Sequence, residues 1–111
     1  MNRSSVAMLV MLVAAAFEVG GDALIRKGLR GAGPAVVAVG FVVLGAYGII
    51  VNKLDLDFSR LLGAYVGFFA VVSVCTGRFV FRDVVPTSTW VGLAVILAGS
   101  LIIHVGATHR M

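Results

Sequence analysis

Four apolar runs, at about 6–25, 34–51, 61–77 and 84–107, take up most of this 111-residue chain, and the segments between them are too short to hold structure of their own. A bilayer core about 30 Å thick needs roughly 20 helical residues per crossing, so each run is long enough to cross, the third only barely. Composition points the same way: 60% of the residues are hydrophobic, 13% are charged and the mean hydropathy is +1.09. No soluble domain fits beside four crossings. The fold class expected is therefore all-α integral membrane, with residues 1–111 forming a single four-helix transmembrane domain.

The connections "RKGLRGAG", "NKLDLDFSR" and "RFVFRD" are short and charged, which leaves adjacent helices antiparallel. Pro34 and Pro86 suit the first turn of a helix, where a missing N–H costs nothing, and Thr87 and Ser88 suit caps for a slightly later start of the fourth. The opening "MNRSSVAMLVMLVAAAF" has the positive start and apolar run of a signal peptide. Its apolar run continues to Ile25, however, and acidic residues stand where a cleavage site would need small ones, so it reads as a retained first helix.

Nine Lys and Arg against five Asp and Glu give a net charge of +4. These basic residues are scattered singly at segment ends, a placement that anchors helices at the membrane interface and does not form a nucleic-acid-binding face. With four crossings, one side holds Arg3, Lys53, Arg60 and Arg110, and the other holds Arg26, Lys27, Arg30, Arg78 and Arg82. Two outcomes follow from so even a division. The chain inserts both ways and pairs as an antiparallel dimer, the outcome favoured here, or it prefers loops 1 and 3 inside.

Glu18 and Asp22, in "FEVGGDALIRKG", are the residues that need explaining. On a helix they share one face, a turn apart, with Arg26 a further turn along. An acidic residue near a helix centre costs about 2.5 to 3.5 kcal/mol on insertion scales and normally faces a bundle interior or a watery cavity. Glu18 lies about 12 residues in from Val6, roughly 18 Å at 1.5 Å per residue. Asp22 is closer to the interface, where a pair with Arg26 explains it without any ligand. A carboxylate at the depth of Glu18 holds either a proton or a cation, and that competition couples export of one to import of the other.

The third run offers a partner surface. Tyr65, Phe69, Val72 and Thr76 follow helical spacing along one face, with Phe68 adjacent. Aromatic faces near a carboxylate suit an organic cation, and the Tyr65 hydroxyl is able to hydrogen-bond Glu18. The competing reading is that these rings only pack against lipid. Tyr47 and Trp90 read as packing or interface residues, His104 as an interfacial imidazole, and Ser73 and Thr76 as hydroxyls bonded to their own helix. Cys75 is the sole cysteine, so there is no intrachain disulfide, and no metal site or cofactor is expected. Neither a nucleotide-binding loop nor a catalytic triad is present, and the chain is not expected to be an enzyme.

Fourteen glycines are many for this length. Gly63 and Gly67 form a GxxxG, and Gly92, Gly99 and Gly106 recur every seven residues in the fourth helix. Such stripes let helix backbones approach closely in lipid, either within one chain or between chains. Four short helices do not easily enclose a polar cavity, which favours an oligomer.

Together "FEVGGDALIRKG", "GAYVGFF" and "WVGLAVILAGSLII" resemble the small multidrug resistance (SMR) superfamily. The spacing from "AY" to "W" in "AYVGFFAVVSVCTGRFVFRDVVPTSTW" is most similar to its YnfA-like branch. The resemblance covers essentially the whole chain and is specific in helix 1 and from Arg60 to Ile103. It implies an inverted homodimer, with a heterodimer of related chains as an alternative, in the bacterial cytoplasmic (inner) membrane. It also implies exchange of protons for small cationic compounds by alternating access. The family's essential glutamate would fall on Glu18, its substrate-contacting tyrosine on Tyr65, and its glycine-rich dimer contact on Gly92 and Gly99. The tryptophan that drug exporters carry three residues after that tyrosine is Phe68 here, and Asp22 is an acid those exporters lack. The alternative function is a non-transporting assembly or partner subunit that packs through its glycines.

Overall fold

A computed structural model describes residues 2–109; Arg110, counted among the charges above, and the side chain of Arg3 lie outside what it describes. Helix α1, Arg3–Lys27, starts where the Asn2 side chain accepts a hydrogen bond from the Ser5 N–H at 2.8 Å, and it ends on Arg26 and Lys27, whose charges complement the helix dipole. The helix then widens into a π-turn at Gly28–Ala32. Gly31 at φ 128° and Gly33 at φ 105° reverse the chain there, in a region of backbone space open to glycine and strained for other residues. Pro34 occupies the first turn of α2, Pro34–Asn52, as expected.

Helix α3, Phe58–Phe79, begins about a turn earlier than the apolar run suggests, with the Asp57 carbonyl accepting the Leu61 N–H at 2.8 Å. The fourth helix corrects the sequence reading. Helix α4, Thr87–His109, starts after Pro86, not near residue 84. The Pro86 carbonyl accepts the N–H groups of Thr89 and Trp90, so the proline stands just outside the first turn. The residue before a proline is disfavoured in helical backbone, which acts here on Val85, and Val84, outside the helix, is 94% exposed. Between these helices the Asp83 N–H donates to the Gly77 carbonyl at 2.9 Å, and Arg82 takes φ 58° to make the turn.

All four helices are long and apolar enough to cross a membrane. They fall into two compact units, the first running to Asp55 and the second from Leu56. In the first, α1 and α2 meet backbone to backbone. A Cβ added at Gly40 would lie 2.8 Å from the Gly21 carbonyl oxygen and 2.6 Å from Ile25 Cγ1, and one at Gly21 would lie 2.8 Å from Leu44 Cγ. In the second, the GxxxG of α3 receives α4. A Cβ at Gly63 would lie 2.8 Å from Ile103 Cδ1, and one at Gly67 would lie 2.7 Å from Ser100 Oγ. Ser100 is buried, and its hydroxyl donates to the Ala64 carbonyl at 2.6 Å, a bond across helices in a setting without water to compete. Large apolar side chains such as Val42, Ile49, Val95 and Ile102 stay exposed, which suits a surface covered by lipid.

The α1/α2 contact yields a paired prediction. Gly40→Ala forces a methyl against backbone and lowers the stability of the detergent-solubilised protein by about 1 to 3 kcal/mol. Gly45, where an added Cβ meets nothing within 4 Å, tolerates alanine and gains about 0.5 to 1 kcal/mol from helix propensity. Chemical unfolding followed by circular dichroism measures both.

Candidate functional site

Helix α1 carries both intramembrane acids, and its surroundings treat them differently. Glu18 is half-buried, whereas Asp22, one turn nearer the π-turn, is exposed. Around Glu18 the helix is small and well covered: Ala14 and Ala15 are fully buried and Val19 is 6% exposed. Burying small residues beside a carboxylate leaves its side chain room without filling the space around it. Glu18 makes contacts of its own in the fold, and so do Arg26 and Lys27 at the end of the helix.

The second unit holds the aromatic candidates. Tyr65 is 4% exposed, which separates it from an aromatic that merely faces lipid. Its ring lies 6.5 Å from that of Phe69 at an interplanar angle of 34°, so two members of the predicted face meet. Phe68, Val72 and Thr76 are half-buried on the same helix. Ser73 Oγ donates to the Ala70 carbonyl at 3.4 Å, the bond to its own helix expected from sequence. Cys75 is half-buried with a free thiol, His104 is half-buried on α4, and Arg78 sits 5.7 Å from the Phe79 ring centre at the end of α3. Among the described residues no group of three or more His, Cys, Asp or Glu is placed to hold a metal ion.

The glycines divide into two sets that sequence spacing does not separate. Gly63 and Gly67 are consumed by packing inside the chain, against Ile103 and Ser100. At Gly92, Gly99 and Gly106 an added Cβ meets nothing within 4 Å, so this stripe is open in the single chain. Ser100 and the Gly21 and Gly40 contact were missed by sequence reading. A lone serine in an apolar helix and two glycines in different runs carry no local signal of the partner that they meet.

The family model described as "Uncharacterised BCR, YnfA/UPF0060 family" matches residues 5–110. The chain belongs to the YnfA/UPF0060 family. Relatives of this family include the UPF0060 membrane protein SCO3297 of Streptomyces coelicolor, 38% identical over 85% of this chain and 86% of its own length. The UPF0060 membrane protein YfjF of Bacillus subtilis is 33% identical over 88% of this chain and 92% of its own. The UPF0060 membrane protein DSY4157 of Desulfitobacterium hafniense is 34% identical over 84% and 88%. No solved structure matches the chain. These relatives are named membrane proteins of bacteria, and this YnfA/UPF0060 protein has four helices long and apolar enough to cross a bilayer.

The difference between the two acids is measurable. With Cys75 replaced by alanine, Asp22→Cys reacts faster with a membrane-impermeant maleimide than Glu18→Cys does, because position 22 is exposed and position 18 is half-buried. Equal rates would remove the contrast.

Proposed function

We propose that this YnfA/UPF0060 protein is a proton-coupled secondary transporter of the small multidrug resistance type, exporting small organic cations from the bacterial cytoplasm across the inner membrane. The observation that carries the proposal is Glu18, a half-buried carboxylate deep in an apolar helix and flanked by fully buried alanines. An intramembrane acid is costly, and the usual return on that cost is an ion or substrate pathway. Glu18 holds a proton in one state and a cation in the other, so neither crosses without displacing the other. Tyr65, buried with its ring tilted 6.5 Å from that of Phe69, is the phenol that the small multidrug resistance resemblance assigns to the cation, and Phe68 is half-buried on the same helix. Asp22 contributes to selection of the cation at the exposed end of the same helix face.

The working unit in this proposal is a homodimer, joined at the open glycine stripe of Gly92, Gly99 and Gly106, where a neighbouring helix approaches closely without displacing any side chain of the chain itself. The protein is a carrier, not an enzyme. The same open stripe also favours a second reading, in which the chain is a non-transporting subunit that docks against another membrane protein.

Proton release from the detergent-purified protein separates the two. Addition of guanidinium-like, quaternary ammonium or polyamine cations releases protons from the wild type. Glu18→Gln abolishes the release by every class and leaves helix content and thermal stability unchanged. A folded wild type that releases no protons with any cation class favours the partner-subunit reading.

A further inference from the structure

The contacts between α1 and α2 fix a register that reaches Glu18. Gly28 lies against Val37, Ile25 against Gly40, and Gly21 against Leu44. Each step of three or four residues back along α1 is matched by the same step forward along α2, the alternation of an antiparallel helix seam. The next step sets Glu18 level with Tyr47. The one after sets Ala14 level with Val51, and both of these are fully buried, as residues inside a seam should be. Glu18 and Tyr47 are each half-buried, and every other residue of these layers is glycine, alanine or a branched aliphatic. The seam therefore has one polar layer, made of a carboxylate and a phenol.

We infer that Tyr47 belongs to the Glu18 site and positions its carboxylate by donating the phenolic hydrogen to it. A carboxylate taken out of water needs a donor, and a hydrogen bond to the charged form is worth more than one between neutral groups. Tyrosine suits the place because its ring is apolar while its hydroxyl donates. The close approach at Gly21 and Gly40 keeps the two helix axes near enough for a side chain on one to span to the other. The ring also adds a face on which an organic cation at Glu18 can rest. Both residues make contacts in the fold, so neither projects idly into lipid. From sequence alone Tyr47 passes for a packing residue, because the 3.5-residue alternation of α2 becomes a register only when its partner positions on α1 are known.

The functional half of this inference rests on the transporter proposal; the juxtaposition does not. The chain has only two tyrosines, so tyrosine carrying carbon-13 at Cζ gives two signals, and the one lost in Tyr47→Phe is assigned to Tyr47. In the purified full chain, Glu18→Gln shifts that signal, and addition of a guanidinium-type cation to the wild type shifts it without any substitution in the protein. Tyr47→Phe, which keeps the ring and removes only the hydroxyl, weakens cation-triggered proton release, raising the half-maximal cation concentration about tenfold at unchanged helix content. A Tyr47 signal indifferent to both Glu18→Gln and the cation overturns the inference, as does a Tyr47→Phe chain with wild-type cation affinity. Were the wild type to release no protons, the transporter proposal would fall, while the shift on Glu18→Gln would still decide whether Tyr47 meets Glu18.

Discussion

The near contact of backbones at Gly21 and Gly40 is the constraint on which the first half of this molecule depends. Lipid gives two apolar helices no hydrophobic reason to associate, so their attraction comes from dispersion at short range and falls off quickly as side chains separate the axes. Two glycines facing each other across the seam remove that separation. They also fix the sliding of one helix on the other, since Gly21 is filled by Leu44 and Gly40 by Ile25, and a shifted register would put larger side chains against each other. Everything placed on the facing surfaces, Glu18 included, takes its level from that contact. The second unit solves the same problem with Gly63 and Gly67 on one helix and adds the Ser100 to Ala64 bond.

Against that background Glu18 and Asp22, which look alike in sequence, have different standing. Asp22 is exposed at the end of α1 that carries Arg26 and Lys27, where the membrane interface tolerates charge. Glu18 is half-buried among alanines, in a stretch where a charged form is expensive. Under the proposed function that expense is the working principle: the site is stable only when the carboxylate is neutralised, by a proton or by a cation, and changes sides in either loaded form.

The helices were legible in the sequence because four apolar runs of membrane length, with charged breaks between them, admit few other arrangements. The Pro34 start of α2 was legible for a local reason, a proline that fits a first turn. The start of α4 was less sharply legible: the apolar run begins at Val84, while the helix begins at Thr87, within the later start that Thr87 and Ser88 allowed. What the sequence could not convey was pairing. Nothing local says that Gly40 meets Gly21, that Ser100 reaches Ala64, or that the spacing of Leu44, Tyr47 and Val51 is the complement of Gly21, Glu18 and Ala14. The GxxxG of Gly63 and Gly67 fitted packing within one chain or between chains, and the structure uses it within the chain, while Gly92, Gly99 and Gly106 remain open.

The central claim is that one carboxylate couples the two fluxes, and counterflow in proteoliposomes tests it most directly. Vesicles containing the purified protein, loaded at low internal pH and diluted into a higher external pH, are given a radiolabelled guanidinium-type cation outside. The account predicts uptake driven by proton efflux, abolished by collapsing the pH gradient and absent in Glu18→Gln. Uptake that persists in Glu18→Gln, or that is indifferent to the gradient, would contradict it.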